Sequence, residues 1–380
     1  MRILHTSDWH VGKVLKGQQR HAEHIAVLAE VVAVARERRP DLVIVAGDLY
    51  DTAAPTPDAT RVVTRALTAL RATGAQVVAI GGNHDNGAAL DALRPWADAA
   101  GITLRGTVRD DPAAHVVTGV TDGGEAWRVV ALPFLSRRYA VRATEMYALT
   151  AAEAQQTYAD HVGQLVAALA DDSPDTVHLV TAHLTVVGAT MGGGEREAHC
   201  VLGYAVPASV FPASTHYVAL GHLHRAQRVN GPCPVRYSGS PLAVDFGEEE
   251  NTPSVSVVDV TATTPARVTE VPITAAVPLR TVRGTLAELA AVEAGGAWLR
   301  VVVREAPRAG LREQVQELLP RALEIRVDPE LLPAPDAAAR PSRVGRSPAE
   351  LFADYLTARG HADDDGVREL FDQLHDEVSR

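Results

Sequence analysis

The sequence predicts an α/β fold: a two-layer β-sandwich flanked by helices, then a small α+β capping domain and a C-terminal helical pair. Three observations carry this. Short, largely apolar runs at Arg2–His5, Leu42–Ala46 and Val77–Ile80 alternate with helical segments, as in a sheet covered on both faces. Shorter strand-like runs follow from His115 to Val260 with one helical interruption. Beyond Val271 the pattern changes to a compact βαβαβ run, and the chain ends in two short amphipathic segments.

Each element has its own signal. Ala22–Arg38 places Ile25, Leu28, Val31, Val32 and Ala35 on one helical face. Thr56-Pro57 reads as an N-cap with proline at the first helical position, and Gly74 closes that helix. Residues from Gly87 to Ala100 read as one further helix before Gly101. Strands are expected at His115–Val120, Trp127–Leu132, Val177–Thr181, Tyr217–Leu220, Arg236–Ser238 and Ser254–Val260, interrupted by the helical stretch Thr150–Ala170. Pro278–Arg283, Leu286–Val292, Trp298–Arg304, Leu311–Leu318 and Leu323–Val327 then alternate strand and helix. Leu332–Arg346, rich in Pro, Ala and Arg, is a linker. Ser347-Pro348-Ala349-Glu350 forms a capping box ahead of Leu351, Phe352, Tyr355 and Leu356. A break at Gly360–Asp365 precedes Val367, Leu370, Phe371, Leu374 and Val378. Two helices near the ~12–15 residues at which isolated helices are marginal have little core of their own and read as a docking element. The expected division is 1–271, 272–331, 332–346 and 347–380.

Composition narrows the class. The chain has 380 residues, 46% hydrophobic, with no apolar run near the ~20 residues that span a bilayer. The N-terminus enters a strand at once, without a signal-peptide pattern, so a cytoplasmic protein is expected. Cys200 and Cys233 are the only cysteines and form no disulfide framework or thiolate knot. A net charge of -11, with Lys13 and Lys16 the only lysines, argues against nucleic-acid binding by a broad basic field. Bound divalent cations and a partner subunit would offset that.

Function is concentrated in five ordered motifs: Asp8-Trp9-His10, Gly47-Asp48-Leu49-Tyr50-Asp51, Gly82-Asn83-His84-Asp85, Ala182-His183 and Gly221-His222-Leu223-His224. Each follows a strand-like run, so a fold, not a local knot, brings the ligands together. Asp8, His10, Asp48, Asn83, His183, His222 and His224 supply seven O/N donors, more than the four one zinc needs. Two ions in octahedral-like shells suit them, and imidazole plus carboxylate without thiolate favours Mn, Fe or Zn. Asp48, after a buried strand and a glycine, is the expected bridge. Paired ions ~3.5–4 Å apart serve in-line displacement at phosphorus. His84 would point out of the shell, where an imidazole can protonate a leaving oxygen, with Asp85 orienting it.

D-x-H, G-D, G-N-H-D, H and G-H-x-H in this order resemble the calcineurin-like metallophosphoesterase superfamily. Within it, Ile3–Lys13, Gly47–Thr52 and Tyr237-Ser238-Gly239-Ser240-Pro241 resemble the SbcD-type nuclease subunit. The resemblance covers essentially the whole chain. It implies two Mn2+ ions, one held by Asp8, His10, Asp48 and His224 and the other by Asp48, Asn83, His183 and His222, with His84 as the transition-state histidine. It implies 3′-to-5′ exonuclease and endonuclease action on DNA ends and hairpins, in repair and recombination. It also implies a homodimer bound to two copies of an SbcC-like, SMC-type coiled-coil ATPase. The βαβ run matches that family's capping domain. The tail matches its ATPase-binding segment, with Leu351, Phe352, Tyr355, Leu370, Phe371 and Leu374 as contacts. Archaeal relatives carry a histidine where this chain has Asp51, as bacterial members do, and Asp51 is given no role.

Two rival readings remain: a phosphatase or small-nucleotide phosphodiesterase with the same motifs, and a non-catalytic adaptor that recruits through its tail. His5, His21, His24, His115, His161 and His178 read as packing or surface histidines. Arg137-Arg138 suits either a phosphate contact or a solvated pair. The loop Met191–Gly194, ahead of His199 and Cys200, suits either a substrate clamp or plain surface.

Overall fold

A computed structural model describes residues 1–109, 111–136, 158–195, 205–331, 348–359 and 365–379. Arg137-Arg138, His199, Cys200, the linker, and Ser347 of the expected capping box lie outside them.

The alternating runs build two six-stranded sheets. In the first, the order is Thr264–Pro272, Ser254–Thr261, Arg2–Thr6, Leu42–Ala46, Gln76–Ile80, Ile102–Arg105, and the last four strands are parallel. In the second it is Gln227–Val229, Val235–Tyr237, Tyr217–Gly221, Thr176–His183, Ala126–Leu132, Val116–Val120. Period-two alternation sorts the side chains. Ile3, Leu42, Ile44, Val78 and Ile80 pack between the sheets against Val129, Val177, Leu179, Tyr217 and Ala219. Leu4, Val43, Val45, Val77 and Ala79 face the helices His21–Arg38 and Pro57–Arg71 on the outside. Helix Tyr158–Leu169 covers the second sheet through Val162, Leu165 and Val166. Truncating one of the sandwich residues, Ile44→Ala for example, would cost about 2–5 kcal/mol.

Thr56 caps its helix by accepting from the Ala59 N–H, with Pro57 at the first turn. The single helix expected over 87–100 is two, Gly87–Ala92 and Arg94–Ala99. Pro95 lacks an N–H, and its ring collides with the carbonyl four residues back, so the helix breaks at Leu93. The strand Thr264–Pro272, absent from the sequence reading, is a largely exposed edge. Its polar character hid it.

The βαβαβ run is a three-stranded sheet, Leu279–Gly284, Trp298–Val303 and Ala322–Val327, all parallel, with its own core of Leu289, Leu299, Val301 and Val315. It packs on the sandwich domain. Trp298 Nε1 donates to Glu23 at 2.9 Å, and Glu23 also receives the buried Arg20 guanidinium at 2.6 Å. Residues Asp328–Arg380 form a second compact unit. There the helices Pro348–Ala358 and Asp365–Ser379 stack Phe352 on Phe371, ring centroids 4.1 Å apart. Among the described residues, no helix is long and apolar enough to cross a membrane.

Candidate metal centre

Parallel strands in register end on the same edge of a sheet, and this is where every motif falls. Asp8 and His10 follow Arg2–Thr6, Asp48 follows Leu42–Ala46, and Asn83 and His84 follow Gln76–Ile80. His183 ends its strand and is in register with Gly221, next to His222. The chain turns sharply at these ends. Asp8, His10, Asp48 and His222 all have positive φ, four of the six non-glycine residues that do among the described residues. Backbone strain of about 1–3 kcal/mol per residue persists where the surroundings over-determine it, as at functional sites. Gly47 also has positive φ, and a Cβ there would strike the His183 ring.

All seven expected donors converge. His10 Nε2 lies 3.0 Å from His224 Nε2 and 3.6 Å from Asp48 Oδ2. His183 Nε2 is 3.4 Å from the same Asp48 oxygen. Asn83 Oδ1 sits 2.9 Å from His183 Nε2 and 2.8 Å from His222 Nδ1. Asp8 receives the His222 backbone N–H at 3.0 Å and the Ser7 hydroxyl at 2.6 Å. Donor atoms of Asp8, His10 and His224 lie within 4.8 Å of one another, as do those of Asp8, Asp48 and His183. Asp48 thus stands between a His10–His224 half and an Asn83–His183–His222 half.

Electrostatics shows what this costs without cations. Burial pushes His10 down to about 3 and Asp8 up to about 6. Burial opposes a charge on His183 as well, but Asp48 lifts it to about 9. Against the same penalty, His183 and His10 hold the Asp48 carboxyl well below the usual carboxylate range. Two imidazole nitrogens aimed at each other at 3.0 Å, with buried carboxylates beside them, is a donor set that fits divalent cations.

His84 lies at the edge of this cluster, 8% exposed, its ring edge-to-face with His10 at 4.6 Å. Its Nδ1 donates to the Asp51 carbonyl at 2.8 Å, so the orienting part expected of Asp85 falls to that carbonyl. The Asp85 carboxylate instead accepts three backbone N–H groups, from Leu49 at 3.1 Å, Tyr50 at 2.9 Å and Gly82 at 2.8 Å. It ties the second motif to the third, because those amides point at it. The Asp51 carboxylate is 3.2 Å from Lys13 and 3.6 Å from His10 Nδ1.

Three contacts were invisible in the motifs. Glu248 Oε1 meets His224 Nδ1 at 2.5 Å, and Glu195 Oε1 accepts the His224 backbone N–H at 2.9 Å. Ser238 Oγ is 2.8 Å from Ser7 Oγ, and it lies in the Tyr237–Pro241 segment that carried part of the resemblance. The Glu195 contact gives Met191–Gly194 a packing role, since Glu195 also accepts from Gly192, Gly193 and Gly194.

A family model described as calcineurin-like phosphoesterase matches residues 1–226. The SbcD component of the SbcCD nuclease of Bacillus subtilis is 33% identical over 326 residues, 82% of this chain and 81% of its own length. The chain belongs to the SbcD family of calcineurin-like phosphoesterases. SbcD relatives from Escherichia coli K12 and Rhodobacter capsulatus are 33% and 36% identical, over 77% and 68% of this chain and 73% and 66% of their own. A second model, SbcD_C, described as a type 5 capsule protein repressor C-terminal domain, matches residues 275–359, from the small parallel sheet into the first tail helix. A dimetal phosphatase from Danio rerio aligns over 72% of this chain and 99% of its own at 12% identity, with a TM-score of 0.42. Calcineurin-like phosphoesterases use divalent metals, and the clustered donors agree with that.

Of the six tail residues expected to meet a partner, Tyr355, Leu370 and Leu374 are 53%, 54% and 52% exposed. Leu351, Phe352 and Phe371 are half-buried, the two phenylalanines against each other.

Proposed function

We propose that this chain is a Mn-dependent DNA phosphodiesterase, with 3′-to-5′ exonuclease and endonuclease action, and the nuclease subunit of an SbcCD-like complex. The observation that carries the chemistry is Asp48, whose Oδ2 faces His10 at 3.6 Å and His183 at 3.4 Å. A carboxylate shared by two donor halves suits a pair of ions. Asp8, His10, Asp48 and His224 would hold one and Asp48, Asn83, His183 and His222 the other. When bound, such a pair lowers the pKa of water and offsets charge on phosphoryl oxygens. His84 assists the leaving oxygen. With Nδ1–H donating to the Asp51 carbonyl, Nε2 is the acceptor nitrogen of the neutral ring, so a proton taken up there gives the imidazolium that can protonate the leaving oxygen. Asp85 and Asp51 position the backbone and the His84 ring.

The relatives are named as the SbcD part of the SbcCD nuclease, which supports both the DNA substrate and an SbcC-like ATPase partner. The tail helices, with Tyr355, Leu370 and Leu374 outward, serve that partner. The homodimer forms through the outer helices, where Ile25 is 48% exposed in a groove between His21–Arg38 and Pro57–Arg71. The small parallel domain governs which DNA shapes reach the ions. The work is cytoplasmic DNA repair and recombination.

The test compares Mn-dependent cleavage of linear duplex and hairpin DNA with cleavage of a cyclic nucleotide, with and without the ATPase partner. DNA cleavage is expected. Activity confined to the cyclic nucleotide would replace this reading with a small-molecule phosphodiesterase. No cleavage of any substrate would favour an adaptor.

A further inference from the structure

The two halves of the metal centre differ in what stands behind the ligands. On one side, Glu248 is 1% exposed and turns one carboxylate oxygen to His224 Nδ1 at 2.5 Å and the other to the Val244 N–H at 2.8 Å. Glu195 adds a second carboxylate at the His224 backbone N–H, at 2.9 Å. On the other side, His183 Nδ1 donates to the neutral Ala46 carbonyl at 2.8 Å. The ligands follow the same division: Asp8 is anionic, whereas Asn83 is neutral. A histidine backed by a carboxylate is a more basic and better-fixed ligand than one backed by a carbonyl.

Glu248 is also held rigidly. It ends the short turn Phe246–Glu248, where Phe246 packs with Leu15 and with Leu279 of the small parallel domain. The Arg300 guanidinium of that domain lies 5.4 Å from the Phe246 ring centre. The glycine loop lets the carboxylate in: a Cβ on Gly194 would collide with Glu248 Oε1. The loop is thus shaped around a buried anion that none of the five motifs contains.

Building on the paired-cation reading above, we propose that Glu248 is a positioning residue that makes the two cation positions unequal, so that the Asp8–His10–His224 position fills first and holds its ion more tightly than the Asn83–His183–His222 position. The test is a Mn2+ titration of the metal-free full-length chain, following free Mn2+ by electron paramagnetic resonance. Wild type should bind in two classes, with one equivalent tight. Glu248→Gln keeps an acceptor for His224 but removes the charge. It should weaken the tight class by about 10–100-fold, the usual effect of losing such a partner, and leave the weaker class in place. Asn83→Ala should lose the weaker class and retain the tight equivalent. Two equal sites in wild type would overturn the proposal, as would a tight class unchanged in Glu248→Gln, or both classes weakened alike, which is the sign of a merely structural role. If melting in chelator shows that Glu248→Gln does not fold, wild type and Asn83→Ala decide between the outcomes. A wild type that takes up no Mn2+ would instead sink the paired-cation reading itself.

Discussion

Asp85 separates a role in chemistry from a role in architecture. Its carboxylate takes Leu49 and Gly82 N–H on Oδ2 and Tyr50 N–H on Oδ1. Asp85→Ala strands all three. A buried unsatisfied donor costs about 1–3 kcal/mol. Burial raises the Asp85 carboxyl to about 7, so even the lower end of that range gives about 3 kcal/mol for three stranded donors. In Asp85→Asn the amide oxygen can keep the two donors on the Oδ2 side, while its NH2 opposes Tyr50, for about 1–2 kcal/mol. Urea unfolding of the metal-free chain, followed by circular dichroism, should show midpoints falling in the order wild type, Asn, Ala, with similar slopes. An Ala variant as stable as wild type that binds Mn2+ normally but has lost hydrolysis would refute this and return Asp85 to the catalytic part read from the sequence.

Other outcomes follow from the same geometry. His84→Ser should lower DNA cleavage by about 10²–10⁴-fold while Mn2+ binding stays as in wild type; equal loss of both would make His84 a ligand. Burial holds His5 near 3 and His24 near 4, below the ordinary 6.5. At these two sites the unfolded chain takes up protons that the folded chain refuses, so their share of metal-free stability is lost as pH drops from about 6.5 toward 4, by about 1.4 kcal/mol per pH unit for each proton, while Asp8 and Asp85, raised by burial to about 6 and about 7, act in the opposite sense. A pH dependence of the urea midpoint that stays the same when His5 or His24 is replaced by Gln would contradict it. Deleting residues 347–380 should abolish co-purification with the ATPase partner and leave Mn-dependent cleavage of simple DNA substrates intact; unchanged co-purification would remove the tail from the interface.

The candidate donors could be picked out because each follows a strand and carries distinctive chemistry, and parallel pairing then brings the strand ends together. The helices were legible from apolar spacing, with Ile25 an exception: it shares a face with Leu28 in the sequence yet stands half exposed beside the second helix. Contacts between side chain and backbone were not legible. Nothing in Gly82-Asn83-His84-Asp85 reveals that Asp85 reaches the amides of Leu49 and Tyr50, or that His84 turns to the carbonyl of Asp51. Glu248 was hidden for a related reason. It lies 24 residues beyond His224 among other acidic residues, and only the turn at Phe246–Glu248 brings it behind the ring.

The shared carboxylate of Asp48 is the point on which the account turns. Electron paramagnetic resonance of the Mn-loaded chain tests it most directly, because two Mn2+ ions joined by one bridging carboxylate couple magnetically. The account predicts a spin-coupled pair in wild type that collapses to isolated, weakly held Mn2+ in Asp48→Ala. A wild-type spectrum of isolated Mn2+ alone, at saturating metal, would contradict it.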